Sequence, residues 1–375
     1  MRLQPLAAHR HEVHFGKPLP FGICDADGRL LLARGHALDS EDQLVSLLER
    51  GAFVDRSGSL EAVHRVGQAR SQELPSLWTD SMDRIGRLLR ASTAHPDFVD
   101  ALDQAIDPLW ALVRRDADLA LFRIVHQDAV KSRQYGHRHA AHVAIAMLLA
   151  GQRLEWSRDE LRRAARAALT MNLSVIELQN LLSVQEFPVS AVQRQQIRDH
   201  PERSLQLLRE AGVDDADWLR SVALHHADGD ESAGPRRAGD AGELVQLLQR
   251  ADIYTAKFAA RAGRGPMPAD AAARSLFQRD RGHPLTATLV KVFGLYPPGC
   301  VVRLANGELA VVARRTDQAS GPLAIALVSR SGDPLGTPVR RHTGQAAHAI
   351  TAVLSPAALK VSLPLDQLVA LTPAA

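Results

Sequence analysis

The sequence has few of the features that build disulfide scaffolds, membrane spans or polyanion-binding surfaces. Cys24 and Cys300 are the only cysteines in 375 residues, which excludes a disulfide framework and fits a reducing compartment. No apolar run approaches the roughly 18–20 residues of a membrane span, and residues 1–20 lack a signal-peptide core, so we expect a soluble, cytoplasmic protein. Lysine and arginine total 45 against 42 acidic residues, and this near balance argues against a general nucleic-acid binder.

Aromatic residues are also scarce, but the chain has enough apolar residues for a sizeable core. Only 16 residues are Phe, Trp or Tyr, whereas 46% of all residues are hydrophobic. The length is about twice the ~150 residues of an average domain, which predicts two or three units.

Hydrophobic patterning changes twice along the chain. Short apolar runs on either side of Asp27-Gly28 and of Asn306-Gly307 predict two β-hairpins, one near each end. Between them, apolar residues recur every three or four positions, which predicts a helical bundle without a parallel sheet. The predicted units are a small mixed α/β N-terminal domain at 1–66, a helical linker region at 67–124, a helical domain at 125–294 and a β-rich extension at 295–375.

Five residues with metal-ligand side chains are predicted to face the helical core. They are His139, His200, His225, His226 and Asp252. Buried imidazoles and carboxylates need partners, and one divalent ion such as Fe, Mn, Zn or Ni would serve them together. The alternative is that they are core side chains hydrogen-bonded to backbone carbonyls. Pro201, directly after His200, is predicted to be the first residue of a helix that ends near Gly212.

Several of these segments resemble the HD-GYP family, bacterial HD-domain metal phosphohydrolases that linearise cyclic-di-GMP. The segments that carry the resemblance are 139–144, His200-Pro201, 224–226, 251–256 and Arg261. The resemblance covers about 125–295. It implies a mainly α fold, in which an HD-domain-like helical bundle at 125–294 is flanked by small β-containing N-terminal and C-terminal domains. It also implies cyclic-di-GMP as the ligand.

The departures from the family pattern fall on its chemistry. Met171-Asn172 stand where the resemblance implies the His-Asp dyad, and Tyr135 stands where it implies an acidic ligand. The family's Lys, its Glu and its Gly-Tyr-Pro signature are replaced by Val175, Ala227 and Ala233-Gly234-Pro235. In the family the dyad carboxylate bridges two metal ions, whereas Asn172 is neutral and a thioether suits hard ions poorly. We therefore assign no catalytic residue and expect no binuclear centre.

Two interpretations of the remaining ligands stay open. His200, His225 and His226 either hold one divalent ion or are remnants held by hydrogen bonds, in which case no metal binds. The candidate phosphate-binding residues are Arg236, Arg237, Arg261 and Arg264, which otherwise belong to a solvated basic loop.

Three functions follow as hypotheses. The first is a degenerate HD-GYP protein that acts as a binding or regulatory module in cyclic-di-GMP signalling and lacks ordinary phosphodiesterase activity. The second is an active metal-dependent phosphodiesterase with a rearranged site. The third is a scaffold that binds only proteins, such as a diguanylate cyclase or another signalling protein, through the loop at 227–242.

Overall fold

The N-terminal part of the chain is a small mixed α/β unit. The computed structural model describes residues 4–55, 58–91, 97–127, 134–226, 241–261 and 265–372. The first elements are β1 (Gln4–Pro5), β2 (Gly22–Cys24), β3 (Leu30–Leu32), α1 (Glu41–Glu49), β4 (Phe53–Asp55) and α2 (Ser59–Gln68). The strands form an antiparallel sheet in the order β1-β4-β2-β3. The hairpin predicted around Gly28 is confirmed, since β2 pairs with β3 and Gly28 has a φ of +77°.

A helical bundle forms the centre of the molecule. Its helices are α3 (Leu74–Ala91), α4 (Phe98–Arg115), α5 (Ala117–Val125), α6 (Tyr135–Arg153), α7 (Arg158–Thr170), α8 (Ile176–Val184), α9 (Ala191–Glu210), α10 (Ala216–Leu224), α11 (Ala241–Thr255), α12 (Ala269–Arg279) and α13 (Pro284–Phe293). Helix α6 is buried along nearly its whole length and packs against α7, α8 and α11. The mainly α fold is confirmed, because both sheets of the described residues lie outside this bundle.

Helices α3, α4 and α5 lie in the segment predicted as a linker. Their apolar side chains, such as Trp78, Phe98 and Leu109, are fully or almost fully buried and belong to the same hydrophobic core as those of α6. In the described part of the chain, no helix has both the length and the apolar composition that a bilayer crossing requires. The exact domain boundaries stay predictions.

Caps and ion pairs set the position of helix α10. Asp215 caps its first turn by accepting a hydrogen bond from the backbone N–H of Trp218, and Arg163 of α7 binds the same carboxylate at 2.8 Å. The Arg166 guanidinium, also on α7, lies 5.4 Å from the ring centroid of Trp218. These contacts fix helix α10, whose C-cap is His225, against helix α7.

The predicted helix start at Pro201 is wrong. Helix α9 begins at Ala191, after a capping box in which Ser190 and Gln193 bond each other's backbone N–H groups, and Pro201 lies inside it. Pro201 is tolerated there although it lacks the N–H that would continue the helix. The end near Gly212 agrees with the prediction, since this glycine has a φ of +79°.

The C-terminal part is a five-stranded antiparallel sheet. Its elements are β5 (Val301–Leu304), β6 (Leu309–Arg314), β7 (Leu323–Val328), β8 (Pro334–His342), β9 (Ile350–Leu354) and α14 (Leu365–Leu371). The strand order is β8-β7-β6-β5-β9, and the hairpin predicted at Asn306-Gly307 joins β5 to β6. Arg314 pairs with Asp116 at 2.7 Å, which ties this sheet to the start of α5.

Candidate functional site

Three histidines from two neighbouring helices form a cluster. His200 lies on α9, His225 is the C-cap of α10, His226 follows it, and α9 packs against α10. Their ligating nitrogens all lie within 4.8 Å of one another, and no other group of three such side chains is found in the described residues. His200 and His225 are buried and His226 is exposed, so the cluster reaches the surface at His226. We call these three residues the histidine triad.

Backbone carbonyls fix the tautomers of the two buried histidines. His200 Nδ1 lies 2.6 Å from the carbonyl oxygen of Ile197, and His225 Nδ1 lies 2.6 Å from that of Val222. A carbonyl oxygen only accepts hydrogen bonds, so each Nδ1 must carry a proton. In a neutral ring the lone pair is then on Nε2. These two Nε2 atoms face each other at 3.0 Å.

This contact lacks a proton to stabilise it at neutral pH. Burial, followed by the neighbouring His226, lowers the pKa of His225 to about 3. Burial is also the main cause of a lowered pKa at His200. Both rings are therefore neutral near pH 7, and their lone pairs point at each other without a shared proton. A cation between the two Nε2 atoms would turn this repulsion into attraction.

The spacing of the triad suits one metal ion. With bonds of about 2.0–2.1 Å, two nitrogens on one ion are roughly 2.9–3.4 Å apart for angles from 90° to tetrahedral. The observed 3.0 Å between His200 and His225 falls in this range. Metal-binding histidines also commonly donate their other ring N–H to a carbonyl, as both rings do here. The His226 ring, 4.3 Å from that of His225, offers the third nitrogen.

His139 and Asp252 form a hydrogen-bonded pair instead. His139 Nε2 lies 2.7 Å from Asp252 Oδ1, and the two side chains are 3% and 13% exposed. Burial acts to raise the pKa of Asp252, but the hydrogen bond from His139 and the nearby His225 and His226 outweigh it and lower the pKa to about 2. The carboxylate is therefore ionised, and its closest partner is the His139 ring.

Tyr135 and Arg261 cover this pair. The Tyr135 ring stacks on His139 with ring centroids 5.4 Å apart and an angle of 10° between the planes. The Arg261 guanidinium lies 4.5 Å from the centroid of the Tyr135 ring and donates a hydrogen bond to its hydroxyl. Arg261, predicted to bind phosphate, thus has a partner within the chain. The other predicted phosphate ligands, Arg236, Arg237 and Arg264, lie outside the described residues.

The five predicted ligands therefore lie near one another but make two separate sets of contacts. One set is the histidine triad and the other is the His139–Asp252 pair. The charge of the Asp252 carboxylate acts to raise the pKa values of His200 and His225, so the two sets are within electrostatic reach of each other.

Two of three comparisons with known proteins found a similar protein. No protein-family model matches the sequence. Among solved structures, the chain resembles Bd1817, an HDG"Y"P protein from Bdellovibrio bacteriovorus, with a TM-score of 0.47 and 14% identity over 75% of this chain and 96% of that one. Among curated proteins, it is 27% identical over 241 residues to cyclic di-GMP phosphodiesterase PA4108 of Pseudomonas aeruginosa, which covers 62% of this chain. The chain is therefore distantly similar to proteins of the HD-GYP type. It spans about half of that phosphodiesterase, 55% of its length.

The two residues that the sequence analysis placed at the dyad position lie at the end of α7. Met171 is the C-cap of this helix and Asn172 follows it, with 0% and 3% of their surfaces exposed. Among the described residues, Asn172 Oδ1 has no hydrogen-bond partner. A buried amide oxygen without a hydrogen bond costs free energy of folding. The same oxygen can also serve as a ligand of a divalent cation. Val175 is buried, whereas Ala227 and Ala233-Gly234-Pro235 lie outside the described residues.

Two serines near the triad were missed by the sequence analysis. Ser174 Oγ donates to the carbonyl oxygen of His200 at 3.1 Å, and its backbone N–H donates to Ser204 Oγ at 3.1 Å. These bonds tie the segment after Asn172 to helix α9. The available signal was spacing, because Ser204 lies four residues after His200 and so shares its helix face.

Proposed function

We propose that this chain is a catalytically impaired HD-GYP module that holds one divalent metal ion at the histidine triad and regulates cyclic-di-GMP signalling by binding. The observation that carries the proposal is the 3.0 Å contact between His200 Nε2 and His225 Nε2, whose Nδ1 protons are committed to backbone carbonyls. Imidazole nitrogens suit Zn, Ni and Fe, with Mn as a weaker candidate. A bound ion would supply a Lewis acid for an anionic oxygen.

The residues at the dyad position and the contact between His139 and Asp252 support the proposal of impaired catalysis. Two-metal hydrolysis needs a bridging carboxylate, and neither Met171 nor Asn172 provides one. His139 Nε2 and Asp252 Oδ1 bond each other at 2.7 Å, so a second ion would compete with this bond for those two atoms. We therefore propose that hydrolysis is slower than in two-metal relatives by about a thousandfold or more, as expected when several kcal/mol of transition-state stabilisation is lost.

The nucleotide ligand is proposed from the curated relative. That protein is a cyclic di-GMP phosphodiesterase, and the same nucleotide is the ligand we propose for this chain. Its phosphates would meet the ion at the triad. Arg261 donates to the Tyr135 hydroxyl through one nitrogen of a guanidinium that has five N–H donors, so it stays a candidate phosphate ligand.

An active phosphodiesterase with a rearranged site is the second candidate. It is favoured by the closeness of all five ligand-type residues, because the charge of Asp252 reaches both His200 and His225. The third candidate, a scaffold for a diguanylate cyclase, depends on the loop at 227–242, most of which lies outside the described residues.

The metal content and nucleotide chemistry of the full chain test the proposal. We expect one tightly held ion per chain by elemental analysis. We also expect binding of cyclic-di-GMP by calorimetry without turnover at the rates of such hydrolases, about 0.1–10 per second, around or below the general enzyme median. Two ions with such turnover would establish the active alternative instead. A chain that binds protein partners but neither metal nor nucleotide would be a scaffold.

Restoring the dyad sharpens the same test. The double variant Met171→His with Asn172→Asp supplies the bridging carboxylate, so we expect a second ion per chain and a gain in hydrolysis. Met171→Leu with Asn172→Ala is the matched control, since it changes the same positions without adding a ligand. A second ion in the control, or hydrolysis in the parent chain equal to that of the restored variant, would contradict impaired catalysis.

A further inference from the structure

Pro201 changes the hydrogen bonding of helix α9 beside the metal site. In an α-helix the N–H of residue 201 would donate to the carbonyl oxygen of Ile197, four residues earlier. Proline has no N–H, so this carbonyl loses its helical donor. The donor that takes its place is His200 Nδ1, at 2.6 Å. The ring therefore uses an acceptor that the backbone leaves free.

His225 obtains the same kind of acceptor in a different way. Its Nδ1 lies 2.6 Å from the carbonyl oxygen of Val222, in the last turn of α10. Carbonyls in a last turn lack helical donors because the helix ends. His200 lies in the middle of a helix that runs from Ala191 to Glu210, where all carbonyls would normally be taken. There, a carbonyl without a competing helical donor requires a missing N–H.

Packing does not account for Pro201. A proline inside a helix is destabilising relative to alanine, so its presence needs a compensating reason. The ring is only partly buried. The neighbouring core positions of this helix are held by Ser204, Leu205 and Leu208.

We propose that Pro201 is a positioning residue of the metal site, because it leaves the Ile197 carbonyl free to hold His200 in the Nδ1–H tautomer with Nε2 directed at His225. The inference rests on the proposed metal-binding function. An alanine at this position restores the competing N–H. The Ile197 carbonyl then has its helical donor, which competes with and weakens the bond that fixes the tautomer and orientation of His200.

The test is Pro201→Ala in the full chain, because helix stability and metal binding are expected to change in opposite directions. We expect a higher melting temperature for the metal-free variant, as a helix-breaking residue is removed. We expect its Zn²⁺ or Co²⁺ affinity to fall by about 10–100-fold, the usual effect of losing a partner behind a metal ligand. A residue that only stabilised the fold would move both quantities in the same direction.

Pro108 provides a matched control. It also lies inside a helix, α4, and the carbonyl of Gln104, four residues earlier, accepts a hydrogen bond from Arg84 Nη1 at 3.4 Å. Here the freed carbonyl serves an arginine and not a metal ligand. Pro108→Ala is therefore expected to leave the metal affinity unchanged. An equal loss of affinity in both variants would overturn the specific role of Pro201.

The ring tautomer gives a readout that does not need metal. In the metal-free protein, ¹⁵N resonances of His200 are expected to report Nδ1–H in the parent and a shift towards Nε2–H in Pro201→Ala. Failure of the parent to bind metal would refute the proposed function while this readout still tests Pro201. An unchanged tautomer together with unchanged affinity would overturn the inference. Pro201→Gly, which restores the N–H without adding a side chain, must act in the same direction.

Discussion

The two halves of the site, the histidine triad and the His139–Asp252 pair, both contain histidine but differ in what the Nε2 atoms face. In the histidine triad, the Nδ1 atoms of His200 and His225 donate to carbonyls and their Nε2 lone pairs face each other at 3.0 Å. In the other half, His139 Nε2 is bonded to the Asp252 carboxylate at 2.7 Å. In a neutral His139 ring that donates to a carboxylate, the lone pair is on Nδ1, so one ring nitrogen is left for a metal in both halves. The halves differ in grouping: the triad brings three such nitrogens within 4.8 Å of one another, and no other described His, Cys, Asp or Glu side chains form such a group.

The largest effect is expected from removing one ligand of each half. His225→Ala takes away a nitrogen of the triad, so we expect the Zn²⁺ or Co²⁺ affinity to fall by more than about a hundredfold, beyond the usual loss for a supporting residue. His139→Ala is the matched change in the other half, and it should leave the affinity within a few fold. Calorimetry or competition with a chelator measures both. Equal losses would show that the two halves hold one ion together.

Acid should separate the two halves by the pH at which stability is lost. The pKa of His225 is lowered from 6.5 to about 3, so its contribution to stability is present above pH 6.5 and lost as the pH falls towards 3. The pKa of Asp252 is lowered from 3.8 to about 2, so its contribution persists to about pH 4 and is lost towards pH 2.

Urea unfolding of the metal-free protein between pH 7 and 3 measures these contributions. In His225→Ala, the stability should fall less between pH 6.5 and 4 than in the parent. In Asp252→Asn, the free energy of unfolding should depend on pH as in the parent between pH 6.5 and 4. Only below pH 4 should it fall less steeply than in the parent. The same pH dependence in both variants would contradict separate protonation of the two halves.

The smallest effect is expected at Tyr135. Tyr135→Phe keeps the ring stacked on His139 but removes the hydroxyl that accepts the hydrogen bond from Arg261. We expect a loss of about 1.5–3 kcal/mol in the free energy of unfolding, as for one hydrogen bond to a charged group, and no change in metal affinity. A change in metal affinity would show that the cover over the pair also shapes the triad.

Local sequence signals predicted much of the fold. Asp27-Gly28 and Asn306-Gly307 identified two hairpins because turn residues act over a few positions. Helical periodicity identified the bundle for the same reason. The first residue of α9 was predicted wrongly, because proline is common at helix starts and Pro201 was assigned to one. The capping box at Ser190, earlier in the chain, marks the true start.

The partition of the site could not be predicted from the sequence. His139 and Asp252 are 113 residues apart, and Tyr135 and Arg261 are 126 apart, so their contacts depend on how α6 packs against α11 and the segment after it. Spacing identified the ligand-type residues, but the choice of partner for each nitrogen follows from packing and from which backbone carbonyls are free.

The exposure of His226 has a kinetic consequence. Two members of the triad are buried and one lies at the surface, so an ion meets His226 first on entry and leaves it last on release. Loading and release should then share one route, and a chelator should extract the ion through this side chain. We expect a substitution at His226 to change the exchange rate of the metal ion more than substitutions at the two buried ligands do. The residence time of the ion would then depend mainly on His226.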